Sequence, residues 1–128
     1  MIQNQPIIGV GLGNWRIQYP VHAKGRMLDA KTVPHRPHND LLEIWSESGI
    51  GALLMYFLLL FYSFRTAWRS ASGPDRAIVV AIAASLAACV TNSLFSFPKE
   101  FVAASAPLWF GMGALVVLGK DQSSRAVV

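Results

Sequence analysis

Residues 34–51 read Pro-His-Arg-Pro-His-Asn-Asp-Leu-Leu-Glu-Ile-Trp-Ser-Glu-Ser-Gly-Ile-Gly, and the apolar run Ala-Leu-Leu-Met-Tyr-Phe-Leu-Leu-Leu-Phe follows at 52–61. A polar stretch with two histidines therefore leads directly into a segment with the composition of a membrane helix. Asn39 and Asp40 are residue types that cap helices, and Glu43 would lie in the first turn, where the amide groups are unpaired. The pattern predicts a helix that begins near residue 40 and enters a membrane.

The overall composition is typical of an integral membrane protein. Of the 128 residues, 53% are hydrophobic and 14% are charged, whereas soluble domains carry about a quarter charged residues. The net charge of +4 raises the question of nucleic acid, but the basic residues lie in loops and do not interleave with aromatic residues on one face, so we expect no nucleic-acid binding. Cys89 is the only cysteine, which excludes an internal disulfide.

Three apolar runs predict an all-α membrane protein with three transmembrane helices, at about 41–64, 77–97 and 101–119. The apolar part of the first run, 49–64, is shorter than the roughly 20 residues that a bilayer requires, so we expect the amphipathic turns before it to continue the same helix. Small residues on one surface of the second run predict its packing face. They are Ala77, Ala81, Ala84, Ser85 and Ala88.

The remaining segments are predicted to be a polar loop with short helical pieces at 1–48 and a polar tail at 120–128. The loop at 65–76 contains three arginines, and the tail adds Lys120 and Arg125. The positive-inside rule therefore predicts that this loop and the tail are cytoplasmic and that the N-terminal loop lies on the outer side. Because a polar loop needs preceding spans to deliver it there, we expect the sequence to be the C-terminal part of a longer multi-span protein, or a truncated copy of one.

The candidate chemistry lies in the N-terminal loop. His35 and His38 are candidate acid/base groups, because an imidazole titrates near neutral pH. Lys24, Arg26 and Arg36 are suited to an anion, since guanidinium groups bind phosphate oxygens in bidentate fashion. From the residues alone, solvated loop charges are the simpler interpretation. A zinc site is disfavoured, because no third and fourth ligand stands at a usable spacing.

Glycines alternate in the stretch Gly-Val-Gly-Leu-Gly at 9–13. The dinucleotide-binding fingerprint needs a third glycine three residues after the second and a following βαβ unit, so we reject a dinucleotide site. The simplest interpretation of the stretch is a flexible turn at the membrane surface, with Trp15 and Tyr19 as anchors at headgroup level.

The order of these motifs resembles the O-antigen ligase and polymerase family, which also includes bacterial protein O-oligosaccharyltransferases. Residues 6–15, Pro-Ile-Ile-Gly-Val-Gly-Leu-Gly-Asn-Trp, are similar to the family's P-L-x-G-x-G-x-G-x-F segment. Residues 38–51 are similar to its H-N-x-x-L-x-x-x-x-E-x-G-x-x-G stretch, and residues 92–98 to its S-L-x-x-F-P turn. The resemblance covers about residues 5–118.

This resemblance implies a glycosyltransferase of the bacterial inner membrane, with several spans, that moves a glycan from a polyprenyl diphosphate to lipid A core, a polysaccharide or a protein. It implies no nucleotide, metal or other cofactor. His38 would be the catalytic histidine, Asn39 and Glu43 would contribute to substrate binding, and Glu47 would shape the loop-to-helix junction. The residues expected near the diphosphate are Arg36, Arg26 and Lys24.

Two other classes of protein remain open at this point. The chain would in one case be a non-catalytic membrane fragment or subunit that only binds or scaffolds the glycan-lipid machinery. In the other case it would be a small transporter-like or scaffold protein, and the loop histidines would then tolerate substitution.

Overall fold

The structure, a computed structural model, describes residues 1–23, 36–96, 98 and 101–125. The described residues form four α-helices and no strand, so the predicted all-α class is confirmed. The helices are α1 (Trp15–His22), α2 (Asp40–Ser70), α3 (Arg76–Asn92) and α4 (Val102–Arg125). The chain forms two compact units, Met1–Tyr56 with Ser93–Phe97 and Phe57–Asn92 with Pro98–Val128.

Among the described residues, two helical segments are long and apolar enough to cross a membrane. They are Asp40–Ser70 and Val102–Gly119, whose most apolar 18-residue windows have mean hydropathies of 1.6 and 1.7. Only 33% and 17% of their most apolar windows are buried, whereas the core helix of a soluble protein is mostly buried. The helix Arg76–Asn92 is also apolar, but its 17 residues fall short of the roughly 20 that a bilayer requires. The structure thus has two segments of spanning length where the sequence predicts three.

The helix bounds differ from the predicted ones for local reasons. Helix α2 continues beyond residue 64 to Ser70, because the first Gly-Pro breaker comes only at residues 73–74. Helix α3 ends at Asn92 and not at 97, since the next two residues use their carbonyl groups to bind the start of α2. Helix α4 continues past 119 to Arg125, into the segment predicted as a tail, which contains no proline.

Helix α2 is interrupted at Gly49, where the backbone adopts φ 80° and ψ 178°. An unbroken helix would pair the amide of Ile50 with the carbonyl of Ser46. Instead, the Ile50 amide donates to the carbonyl of Pro6 at 3.0 Å. The break therefore turns a backbone donor of the helix outward, toward a segment more than forty residues earlier in the chain.

Residues 6–14, which we call the glycine segment, pack directly against this break. The amide of Val10 donates to the carbonyl of Ser46 at 2.9 Å, and the amide of Gly11 donates to the carbonyl of Glu47 at 2.9 Å. These hydrogen bonds replace helical ones at the break and hold the glycine segment against α2. The segment is therefore an ordered part of the first unit, and not the free surface turn that the sequence alone suggested.

Two glycines make this close approach possible. Gly9 and Gly49 both have positive φ, at 75° and 80°, a region that residues with a Cβ atom seldom adopt. A Cβ atom on Gly9 would overlap the backbone of Glu47, and one on Gly49 would overlap the backbone of Ile7. The two backbone segments can therefore approach each other this closely only because each carries glycine at the contact.

In the second unit, α3 packs against α4. Val79 and Leu86 are the buried residues of α3. A Cβ atom added to Gly111 of α4 would lie 3.3 Å from the side chains of Ile82 and Leu86, so this glycine gives Leu86 room to approach. The predicted small-residue face of α3 is exposed instead. The small residue that allows the close contact is on the partner helix, which the pattern of α3 alone does not reveal.

Candidate functional site

The candidate site lies in the first unit, where α2 begins. The Asn39 side chain caps the helix, because its Oδ1 accepts the amide of Leu42 at 3.0 Å. Its Nδ2 donates to the carbonyl of Leu94 at 3.0 Å. His38, the residue before the cap, is exposed. The cap thus fixes the backbone that presents His38 and also binds the segment that follows α3.

Asp40 makes a second connection to the same segment. Its amide donates to the carbonyl of Ser93 at 2.9 Å, and its Oδ2 accepts the Ser93 hydroxyl at 3.1 Å. Asp40 is 1% exposed and Ser93 is 2% exposed. Because a buried carboxylate is costly without hydrogen-bond donors, this contact requires a hydroxyl at position 93.

Glu43, one turn further along α2, pairs with Arg36. Arg36 Nη1 donates to Glu43 Oε1 at 2.9 Å, and the side chain of Arg36 is 41% exposed while that of Glu43 is 1% exposed. The buried carboxylate therefore orients a guanidinium group that stays accessible to water. The resemblance assigned both residues to substrate binding, and the structure places them in direct contact.

Glu47 binds the start of α1. Its Oε2 accepts the amide of Gly13 and its Oε1 accepts the amide of Trp15, both at 2.9 Å. The first amides of a helix have no partner within the helix and carry partial positive charge, so a carboxylate stabilises them. Helix α1 has no acidic residue in its own first turn. A carboxylate from α2 supplies that interaction instead.

Asp40, Glu43 and Glu47 thus form one acidic face of α2, with a spacing of i, i+3 and i+7 that places them on one side of the helix. All three are buried. The hydrogen bonds above join this face to three separate stretches of chain, at 13–15, 36 and 93. We refer to these three residues as the carboxylate row.

A small cavity of about 180 Å³ lies beside the carboxylate row. Its lining residues are Gly13, Trp15, Arg16, Arg36, Glu43 and Glu47. Two guanidinium groups and two carboxylates therefore face one another across it, which gives a formally neutral cavity. Arg16 was not among the residues predicted from the sequence. It follows the glycine segment directly, and only the contact between Glu47 and α1 brings it near Arg36.

A larger cavity, of about 360 Å³, is bounded by the inner face of α1. Trp15 and Tyr19 both line it, with their ring centroids 4.4 Å apart. The indole N–H of Trp15 has no hydrogen-bond acceptor within the described part of the chain. These two aromatic residues, interpreted from the sequence as headgroup anchors, therefore face a cavity within the first unit.

His22 also lines this larger cavity, and its hydrogen bonds define its tautomer. Nδ1 lies 2.8 Å from the carbonyl of Gln18, which can only accept, so Nδ1 carries the proton. Nε2 then accepts from the side-chain amide of Asn4 at 3.2 Å. Both ring nitrogens of His22 are thus engaged in a structural contact.

The structure places four of the six predicted site residues. Arg36 and Glu43 are in contact, Asn39 caps α2, and His38 is exposed at the start of the helix. His38 lines neither of the two cavities. Lys24 and Arg26 lie outside the described residues, as does His35.

A search for metal-binding groups, limited to residues 1–23, 36–96, 98 and 101–125, finds no cluster of three His, Cys, Asp or Glu side chains. Comparisons of the chain with protein families, with characterised proteins and with solved structures find no match.

Proposed function

We propose that this chain is the C-terminal part of a membrane glycosyltransferase of the O-antigen ligase and polymerase type. Its donor would be a glycan linked to a polyprenyl diphosphate, and its acceptor a hydroxyl group of lipid A core, a polysaccharide or a protein. The resemblance implies that this chemistry uses no nucleotide or metal.

The observation that carries the proposal is the assembly of three motif stretches in one unit. The glycine segment and residues 93–94 are far apart in the sequence, and hydrogen bonds join both of them to residues 39–50. These are the stretches on which the resemblance depends. All three stretches therefore lie in the unit that also contains His38.

In the proposed reaction, an acceptor hydroxyl attacks the anomeric carbon of the donor. The new bond joins the acceptor oxygen to that carbon, and the bond from the carbon to the diphosphate oxygen breaks. His38 takes the hydroxyl proton, and the diphosphate leaves with the electron pair. Arg36 and Arg16 stabilise its charge, together with Arg26 and Lys24.

Membrane insertion is part of the same proposal. Helices α2 and α4 would cross the bacterial inner membrane, and α3 would be a third, short span. Residues 1–48 would then lie in the periplasm and the C-terminus in the cytoplasm, with the arginines at 65, 69 and 76 on the cytoplasmic side.

The test compares two histidine variants in membranes supplied with the polyprenyl-diphosphate-linked glycan and an acceptor. General acid/base groups contribute roughly 10² to 10⁴ in rate, so we expect His38→Ala to reduce glycan transfer about a hundredfold or more. His35→Ala is the matched control, with the same change three residues earlier, and we expect it to retain transfer. Normal transfer by His38→Ala would refute the role of His38.

A second candidate function is a non-catalytic subunit that only binds glycan-lipid. The position of His38 outside both cavities favours it, because a general base must lie within hydrogen-bond reach of the hydroxyl that it deprotonates. This alternative predicts that the inserted wild-type chain binds the polyprenyl-diphosphate glycan, measured by native mass spectrometry, but transfers none of it.

A further inference from the structure

Helix α1 has two faces of different character. Trp15, Tyr19 and His22 point toward the larger cavity, at spacings of three and four residues. Ile17 and Val21, one turn apart, are on the outside of the helix and are 67% and 72% exposed. The outward face of α1 therefore carries exposed aliphatic side chains, while the inward face makes the contacts of the helix.

The exposed aliphatic surface extends into the glycine segment. Ile7, Ile8 and Leu12 are 73%, 81% and 86% exposed. Five large aliphatic side chains are thus exposed within 15 residues of sequence, counted from Ile7 to Val21. Exposed apolar residues at this density are typical of a surface that binds a protein or a membrane.

The contacts of α1 place it at the level where α2 changes from polar to apolar. The carboxylate row ends at Glu47, and no charged residue follows in α2 until Arg65. Glu47 itself binds the amide of Trp15 at 2.9 Å. If α2 crosses a membrane, this point of α2 lies at the membrane surface, and the hydrogen bond holds the start of α1 at the same level.

The charge of this part of the chain also suits a lipid surface. Residues 1–23 contain no aspartate or glutamate, and Arg16 lies beside Ile17. Anionic lipid headgroups would therefore meet no negative side chain from this part of the chain.

We propose that α1 lies on a phospholipid surface, with Ile17 and Val21 inserted at the boundary between headgroups and acyl chains. The aromatic residues of α1 face inward, and the aliphatic ones make the membrane contact. This proposal depends on insertion of α2 into a membrane but not on glycan transfer.

The experiment measures the depth of spin labels in the full chain, reconstituted in nanodiscs of phosphatidylcholine and phosphatidylglycerol. Ile17→Cys and Val21→Cys are made separately in a Cys89→Ser background, and Gln5→Cys is the control at an exposed polar position of the same unit. Each label is exposed to oxygen, which concentrates in the bilayer, and to a water-soluble nickel chelate.

We expect the labels at 17 and 21 to collide severalfold more often with oxygen than with the nickel chelate, and the label at 5 to show the reverse. Collisions mainly with nickel at 17 and 21 would show that α1 is in water and would overturn the proposal. Poor access of both reagents would also overturn it, because another protein surface would then cover this face. None of these readings uses glycan transfer, so failure here is distinguishable from failure of the proposed activity.

Discussion

The contact between Glu47 and the start of α1 leads to a quantitative prediction. Glu47→Ala removes both acceptors for the amides of Gly13 and Trp15, each of which is bound at 2.9 Å. Glu47 is 6% exposed, so water replaces the lost carboxylate poorly. A hydrogen bond to a charged group contributes about 1.5–3 kcal/mol, and the two bonds share one carboxylate, so we expect local opening to become easier by about 3 kcal/mol.

The assay is hydrogen exchange at single amides of the protein in nanodiscs. Since 1.4 kcal/mol corresponds to a factor of ten, the amides of Gly13 and Trp15 should exchange on the order of a hundredfold faster in Glu47→Ala. The amide of Leu42, held by the Asn39 cap, is the internal control and should change little. Asp75→Ala, which removes a carboxylate from the second unit, is the matched control for charge.

Unchanged exchange at Gly13 and Trp15 in the Glu47→Ala protein would refute this account of the contact. Equal acceleration at Leu42 would also count against it, because the substitution would then loosen the whole unit. Glu47→Gln is informative as well. Its amide oxygen can accept only one of the two N–H groups, and its NH₂ group faces the other donor, so we expect an intermediate acceleration.

Two further predictions concern stability, measured by thermal unfolding in detergent. Gly49→Ala should destabilise the protein by more than about 1–2 kcal/mol, because the positive φ disfavours a Cβ atom and the added atom would overlap the glycine segment. Gly51→Ala, two residues later, has open space around its Cβ atom and should be neutral or stabilising, by up to about 1 kcal/mol. Asn39→Ala should lower the stability by about 1 kcal/mol, because the helix cap is lost. Asn39→Asp keeps the cap but not the donor to Leu94, so it should lower the stability by less. Equal losses of stability in the two variants would contradict the cap as the main contribution of Asn39.

The carboxylate row connects separate parts of the first unit. Three buried carboxylates on one helix face each bind a different stretch of the chain, and one of these connections ends at the guanidinium group of Arg36, which is 41% exposed. Buried acidic groups with hydrogen-bond donors hold their partners in one geometry. Such a framework holds Arg36 against Glu43 and fixes the start of α2, directly after His38 and Asn39.

Local patterns in the sequence were sufficient to predict several features of the fold. The apolar runs predicted helical segments, and α2, α3 and α4 are found there, because the composition of a long apolar stretch allows few other structures. Asn39 was predicted as one of two possible helix caps, and it does cap α2. The spacing of Asp40, Glu43 and Glu47 placed them on one face, since the helical repeat depends only on neighbouring residues.

The tertiary structure alone decided what that face binds. No local pattern links Glu47 to the amides of residues 13 and 15, or Asp40 to Ser93, because these contacts join residues 32 to 53 positions apart. For the same reason the sequence did not reveal that Gly49 breaks α2 to admit the glycine segment. The sequence also left open which side of α1 faces inward. One face carries aromatic residues and the other aliphatic residues, so both are apolar and the pattern alone does not distinguish the buried face.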